Sequence, residues 1–585
     1  MRAAQIADRP ADRPAAWRTR DTVAAATLSI ATAAFTLWQN ARVAVLWDIG
    51  FLLDTSYRWS LGQLPYRDLP FPYAPLTFLL HTALIRLFGR VYFPHIFYAA
   101  LAGAAATLLT WRILLHLLKP LADRAWTIAT MLAAPLTVLG IYSIYPHPIY
   151  DSDCILAVLF SLYLLQRAEI GPAPSATNPA RNALAGAACV LPLFIKQNIG
   201  LPLLLIALAA VAAIAIARRV ERATVAPQLW FFAGALTVFA AAALTQQATV
   251  GLRTYLYWTI AFAAQRRLPG LGLILGIYRQ ASLLWTLSAA AIALVLLKRN
   301  SPGARSRSRR GMGGTLYRSV AVLLLAAPFL WTIASLADSN SNDPSDRAAQ
   351  LLSLWPHLLL LGGAFALWNL RRAPTFTTLL PLILLATIHG VFLSQQLWGS
   401  TYAIWPLLIL LLASMLTQIP TVARPVSAII AATLLLCGGL YAASLDRLSY
   451  IHLDGLEAHA TLPALRGLTT PGPWIPGFEE LVRFTEAEIP ADDSILLIPG
   501  EDPFYFATGR TPHFPILLFD PATDPYTAQQ TLDQVRAHNI RWLIVTRNLQ
   551  LTGPPHPDLP AIVGALHPDF TLYRTLTNYD VYRSK

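Results

Sequence analysis

Charge is scarce in this chain. Asp, Glu, Lys and Arg together make 13% of its 585 residues, while hydrophobic residues make 55% and the mean hydropathy is +0.50. Ordinary soluble domains carry about twice that charged fraction, so a water-soluble globular protein is excluded. Cysteine is scarcer still. Cys154, Cys189 and Cys437 are the three present, each inside an apolar segment, with neither metal-ligand spacing nor an obvious disulfide partner. Lysine is the third shortage: four stand among 44 basic residues. Glycine-rich phosphate loops of the Walker or GxGxxG kind are missing, which removes the usual means of docking a nucleotide. The N-terminal "MRAAQIADRPADRPAAWRTRD" has no small-residue cleavage site of a removed signal peptide. Residues 1–21 read instead as a cytoplasmic tail leading into an uncleaved span.

What the chain does have is long apolar runs. Stretches of about 18 or more apolar residues read as membrane-crossing helices. Thirteen are expected, starting near Thr22, Phe93, Ala125, Asp153, Ala183, Gly200, Leu229, Ala281, Ser319, Leu351, Thr375, Thr401 and Val426. The net charge of +13 falls between them in an alternating way. Every second connection is basic: Lys119 and Arg124, then Arg167 and Arg181, then Arg218, Arg219 and Arg222. The series continues with Lys298, Arg299, Arg305, Arg307, Arg309 and Arg310, then Arg371 and Arg372, and last Arg424. That is the positive-inside bias, a topology signal and not a nucleic-acid footprint. It puts the N-terminus inside and the C-terminus outside.

After about residue 445 the apolar runs shorten to strand length. "SILLIPG", "ILLFD" and "RWLIVTRN" read as strands, "TAQQTLDQVRAHNI" as a helix, and "DFTLYRTLTNYDVYRSK" as a terminal hairpin. The expected fold is a polytopic α-helical membrane protein of about thirteen transmembrane helices, over residues 22–445, with a C-terminal periplasmic α/β domain over 446–585. Its first periplasmic loop covers 44–92, and its expected location is a bacterial inner membrane. No internal repeat is visible.

Polar residues gather on the outer face. The first loop carries "LWDIGFLLDTSYRWSLGQLPYRDLPFPYAPL", Leu46 to Leu76. On the same side lie "YPHPIYDSD" (Tyr145–Asp153), "FIKQNIG" (Phe194–Gly200) and "AFAAQRRLPG" (Ala261–Gly270). Ionisable groups near membrane depth are costly and therefore functional candidates. Lys196 is the sharpest, since apolar helix flanks it on both sides. Plainer readings exist for single residues. Asp48 could mark the water boundary, Lys196 could snorkel to headgroups, and His147 and Asp151 could be solvated loop residues. Asp54 and Arg58, four apart, read as a surface ion pair. Cys154, His357 and His389 read as packing residues. Carboxylates and cations converging from four loops on one face favour chemistry.

A lipid-linked sugar phosphate puts its phosphoester at headgroup level, its sugar in water and its prenyl tail in lipid. Sugar transfer from it needs a base near the acceptor and cations near the leaving phosphate. Asp48 suits the base. Lys196, with Arg266 or Arg267, suits the phosphate. Tyr66, Tyr73 and Tyr150 suit packing against sugar or prenyl faces.

The first-loop stretch, followed by "LIRLFG", resembles the first periplasmic loop of GT-C fold glycosyltransferases. The bacterial members it is similar to are those related to protein O-mannosyltransferases, aminoarabinose transferases and the RgtA-to-D type. In these an aspartate follows the first span, then an aromatic helix, a G-x-x-P-Y turn and a Pro-rich re-entrant stretch. Here these are Asp48, Gly62, Pro65, Tyr66, Asp68 and Pro75. "HPIYDSD" is similar to a second family loop, "FIKQNIG" to a lysine turn before the sixth span, and "STYAIWPLL" to the start of a late span. "GEDPFYFATGR" looks like part of the family's periplasmic domain. The resemblance covers nearly the whole chain. It implies a polyprenyl-phosphate-linked sugar donor, inversion at the anomeric carbon, and Asp48 as catalytic carboxylate. It implies a hexosyl or pentosyl transferase acting on an envelope glycan, lipid or protein. Lys196, Asp151, His147, Tyr150, Tyr66, Asp68, Arg266 and Arg267 are the expected substrate-binding residues. No cofactor is expected, and a divalent metal is left open.

The chain departs from the family pattern at two places. Ile49 stands where many relatives have a glutamate, and Tyr73 and Ala74 stand where aminoarabinose transferases place a lysine before the proline. These shift phosphate binding towards Lys196 or the arginines, and away from a lipid A acceptor. Two competing classes remain. A transporter or lipid flippase would show repeated halves and broken mid-membrane helices, which are not visible. An envelope scaffold would have no need of Asp48 and Lys196.

Overall fold

The computed structural model describes residues 18–42, 46–143, 146–168, 178–267, 271–279, 282–299, 312–337, 354–393, 403–443, 456–520, 523–547 and 559–585. Helix α1 (Thr19–Asn40) is the first expected span, and α2 (Leu46–Ser60) and α3 (Leu76–Phe88) build the first loop. Then come α4 (Phe93–Leu117), α5 (Ala125–Ala133), α6 (Tyr150–Arg167), α7 (Pro179–Val190), α8 (Gln197–Val220) and α9 (Ala226–Thr249). A short α10 (Leu252–Leu256) runs through a π-helical turn, Tyr257–Phe262, into α11 (Ala263–Arg267) and on to α12 (Leu271–Gly276). The helical part closes with α13 (Ser282–Arg299), α14 (Met312–Ala337), α15 (Trp355–Asn369), α16 (Phe376–Val391), α17 (Trp405–Leu416) and α18 (Ala423–Ala443).

A helix covers or directly follows the expected starts at Thr22, Phe93, Ala125, Asp153, Ala183, Gly200, Leu229, Ser319, Thr375 and Val426, while Ala281, Leu351 and Thr401 lie outside the described residues. Among the described residues, six helices are by themselves long and apolar enough to cross a membrane: α1, α4, α8, α9, α18 and the stretch Gly314–Ala334 of α14. Several of the basic residues close helices, where they also suit the negative end of the helix dipole. Arg167 closes α6, Arg218 and Arg219 close α8, and Lys298 and Arg299 close α13. Between apolar helices close packing replaces the hydrophobic effect as the force for association. The α7–α9 crossing uses a reciprocal pair of glycines. A Cβ on Gly186 would meet the Phe231 carbonyl oxygen at 1.9 Å, and one on Gly234 would meet that of Ala183 at 1.9 Å.

The C-terminal part is an α/β unit. Its four strands are β3 (Ile495–Ile498), β4 (Trp542–Thr546), β5 (Phe570–Thr575) and β6 (Tyr579–Ser584), in the spatial order β3-β4-β6-β5. The β3–β4 pair is parallel, while β4–β6 and β5–β6 are antiparallel. A separate ribbon pairs β1 (Glu457–His459) with β2 (Thr469–Pro471). Helices α19 (Trp474–Glu488), α20 (Phe504–Thr508), α21 (Ala528–Ala537) and α22 (Leu559–Leu566) complete it. The expected strands "SILLI" and "RWLIVT", the helix after Thr527 and the terminal hairpin are all present. "ILLFD" is not a strand. Its backbone is spent elsewhere: Phe519 N–H donates to the Pro499 carbonyl at 2.8 Å. The carbonyls of Phe514 and Pro515 just before it accept from Arg58 at 2.8 and 2.9 Å.

That last contact exposes a second difference. Asp54 and Arg58 do not pair with each other. Asp54 accepts from the Tyr505 and Phe506 N–H groups at 3.2 and 2.7 Å, and Arg58 reaches the two carbonyls. Four-residue spacing allows an ion pair on an isolated helix, but both side chains here are buried and satisfy backbone groups of the α/β unit. One hydrophobic core accordingly spans the join. Ile49, Leu53 and Tyr57 of α2 share it with Phe478, Phe504 and Tyr579. At Gly50 the two parts come closest, since a Cβ there would lie 2.6 Å from the Glu501 carbonyl oxygen.

Candidate active site

Asp48 sits in the first turn of α2, where the positive end of the helix dipole favours a carboxylate. Its side chain is 25% exposed, and its Oδ2 lies 3.9 Å from Nε2 of the fully buried His147. His147 Nδ1 is 3.0 Å from the Pro148 carbonyl. A carbonyl only accepts, so Nδ1–H donates and the lone pair of the neutral ring is on Nε2. Burial pulls the His147 pKa down to about 4, which keeps the ring neutral at physiological pH. Helix α2 and the segment leading into α6 thus meet at these two residues.

Four residues on, in the first turn of α6, Asp151 forms an ion pair with Lys196 Nζ. Lys196 is the N-cap of α8, extended in backbone and following the short helix Leu191–Phe194. The break between the two helices turns its side chain towards α6. Its ammonium lies 5.0 Å from the Tyr150 ring centroid, and Tyr150 packs on Tyr73 of the re-entrant stretch at 5.0 Å. A buried charge pair costs heavily in desolvation unless both partners stay engaged. Asp151 and Tyr150 engage this one.

Other expected site residues have structural partners. Tyr66 is buried with φ of +66°. Its hydroxyl donates to the Tyr73 carbonyl at 2.6 Å, so it fixes Tyr73 and the re-entrant stretch. Asp68 accepts from Arg67 and from the Leu64 N–H at 2.7 Å. The Arg67 hydrogen bond holds its carboxyl below the usual range, and it serves as a loop cap. Arg266 and Arg267 end α11, but their side chains lie outside the described residues. One residue not singled out as a site member is Asp153. It accepts from Thr77 at 2.7 Å, Tyr98 at 2.9 Å and Tyr142 at 3.1 Å, locking α3, α4 and α6 together. The only sequence signal was its place in "DSD", on the opposite side of α6 from Asp151.

Lys196 lines a cavity of about 450 Å³. Tyr73, Gln197 and Asn198 line it too, and Leu201, Phe239 and Ile260 are among its apolar walls. Gln197 Nε2 donates to the Pro72 and Thr259 carbonyls at 3.0 and 2.9 Å, joining the re-entrant stretch to the π-helical turn. Neither that turn nor the cavity was anticipated. Asp48 is not among the lining residues; it flanks the site through His147, while Asp151 meets the cavity through Lys196. Among the described residues no cluster of three or more His, Cys, Asp or Glu side chains is placed to hold a metal ion.

No protein-family model and no curated protein matches the sequence. Solved structures are similar in overall shape. ArnT from Cupriavidus metallidurans bound to undecaprenyl phosphate has a TM-score of 0.46 and 12% identity, over 96% of this chain and 97% of that one. The archaeal oligosaccharyltransferase AglB from Archaeoglobus fulgidus, in complex with an inhibitory peptide and a dolichol-phosphate, has a TM-score of 0.46 and 11% identity. That match covers 90% of this chain and 70% of that one. Both are GT-C fold glycosyltransferases. At such low identity no residue role passes from either to this chain.

Proposed function

We propose that this chain is an integral membrane glycosyltransferase of the GT-C type. It moves a sugar from a polyprenyl-phosphate donor to an envelope acceptor at the periplasmic face, with inversion. The observation that carries the reading is the placing of Lys196: one buried cation in the lining of an otherwise apolar cavity, paired with Asp151 of the loop whose His147 meets the part-exposed Asp48. An amphiphile with an anionic head and an apolar tail fits that arrangement. The tail takes the apolar walls and the phosphate takes Lys196, aided by Gln197 and Asn198.

The chemistry follows from charge. Asp48 accepts the proton of the acceptor hydroxyl or amine as that atom bonds to the anomeric carbon. The bond from that carbon to the phosphate oxygen breaks, its electron pair stays on the polyprenyl phosphate, and the new charge is met by Lys196. Attack opposite the leaving group inverts the anomeric centre. His147, neutral and fully buried, stands beside Asp48 without neutralising it, since its Nε2 carries no proton to give. Asp151 keeps the ammonium placed and paired before the donor arrives.

The test is release of polyprenyl phosphate by purified protein given a panel of polyprenyl-phosphate sugars. Asp48→Asn is expected to lose at least about a hundredfold in rate. Full activity in Asp48→Asn, with Asp151→Asn inactive, would move the base to the second loop. Movement of an intact donor across the bilayer without release of polyprenyl phosphate would make the protein a flippase.

A further inference from the structure

A second cavity, of about 390 Å³, lies among α13, α14, α15, α17 and α18, and shares no lining residue with the first. Leu354, Leu358, Leu361, Phe365 and Trp368 line it at helical spacing along one face of α15. The fourteen steps from Leu354 to Trp368, at 1.5 Å each, make that wall about 20 Å long. None of the lining residues is acidic. The wall ends at Trp368 and, on the facing connection, at Gln418. Both of these hold an arginine. The Arg371 guanidinium stacks 4.8 Å from the Trp368 ring centroid, and Arg372 Nη2 donates to Gln418 Oε1 at 3.1 Å. The positive-inside bias assigns this connection to the cytoplasm, and tryptophan at a helix end favours headgroup depth.

We infer that this cavity binds an anionic glycerophospholipid of the cytoplasmic leaflet, with an acyl chain along α15 and the phosphodiester between Arg371 and Arg372. Charge complementarity selects the head group. Length selects the tail: a hydrocarbon core of about 30 Å gives each leaflet about 15 Å, close to the apolar wall and far short of a polyprenyl chain. The site does not depend on the transferase reading, since it is on the opposite side of the protein from Asp48 and Lys196 by the same topology.

The experiment is native mass spectrometry of the delipidated full-length protein, titrated with phosphatidylglycerol or phosphatidylcholine of identical acyl chains. Phosphatidylglycerol is expected to bind about tenfold or more tightly, from two surface arginines acting on one phosphate. In R371Q/R372Q, which alters two exposed side chains, the two lipids should bind within about twofold of each other. Ala364→Phe, inside the cavity, should weaken both. Inorganic phosphate at millimolar concentration should not displace the lipid. Equal binding of the two lipids by the unaltered protein, or a preference that survives R371Q/R372Q, would overturn the inference. So would displacement of phosphatidylglycerol by an equimolar polyprenyl phosphate.

Discussion

The carboxylate of Asp54 and the amide of Phe506, 452 residues apart in sequence, are joined by a hydrogen bond of 2.7 Å. With the Tyr505 amide on the other oxygen, Asp54 is the fastener between the first-loop helix and the α/β unit. Helix α2 also carries Asp48, six residues earlier, so the fastener sets where the candidate base stands.

Asp54→Ala strips an acceptor from two buried amides and should cost about 3 kcal/mol. Asp54→Asn, which keeps one acceptor oxygen, should cost about half as much. On sequence alone a mild effect was expected, because Asp54 read as half of a surface ion pair. Thermal unfolding in detergent measures the loss, and protease sensitivity of the C-terminal unit should rise with it. Unchanged stability in Asp54→Ala would mean that the apolar core alone holds the two parts together.

Asp502 gives the stability a pH dependence. It accepts from Trp474 Nε1 and the Tyr579 hydroxyl, both at 2.8 Å, but burial outweighs these bonds and raises its pKa to about 6. The folded state therefore binds this proton more tightly than the unfolded state. Its contribution is fully present below about pH 4 and is lost as pH rises through about 6, a change on the order of 3 kcal/mol. Asp502→Asn cannot titrate. Melting temperatures of the two proteins from pH 4 to pH 8 should diverge across that window, and parallel curves would remove Asp502 as the cause.

Lys196→Met should lower sugar transfer by about tenfold to a hundredfold, the range for losing a charged hydrogen bond of about 1.5–3 kcal/mol. Breaking a buried pair also strands Asp151, at a cost of about 3–5 kcal/mol in stability. The double variant K196M/D151N should regain the stability and not the activity. Lys196→Arg should restore charge without the geometry. Near-normal transfer by Lys196→Met would reduce the lysine to a structural partner of Asp151 and leave Arg266 and Arg267 to hold the phosphate.

Orientation is open to a direct check. Reporter fusions after Lys585 should be active only in the periplasm, and fusions between Ser301 and Gly314 only in the cytoplasm. A cytoplasmic C-terminus would put Asp48 and Lys196 on the wrong face for the proposed donor.

What the sequence determined by itself was whatever depends on neighbours in the chain. Apolar runs of spanning length, arginines at alternate connections, and the alternation in "DFTLYRTLTNYDVYRSK" are local patterns, and the helices and hairpin stand where those patterns put them. The gathering of Asp48, His147, Asp151 and Lys196 was legible only as a convergence of loops. Which residue meets which was not. Asp151 and Lys196 pair across 45 residues, Asp54 serves two amides of a distant helix, and Arg58 takes the carbonyls of Phe514 and Pro515 just before "ILLFD". Those choices belong to tertiary structure because a buried charge or amide takes whichever partner the packing of whole helices brings within 3 Å, and burial makes leaving it unpaired the costliest alternative. The apolar cavity that Lys196 lines is of the same kind: its walls come from helices α8 to α11, the π-helical turn and the Pro72–Tyr73 stretch, and only their packing encloses a space.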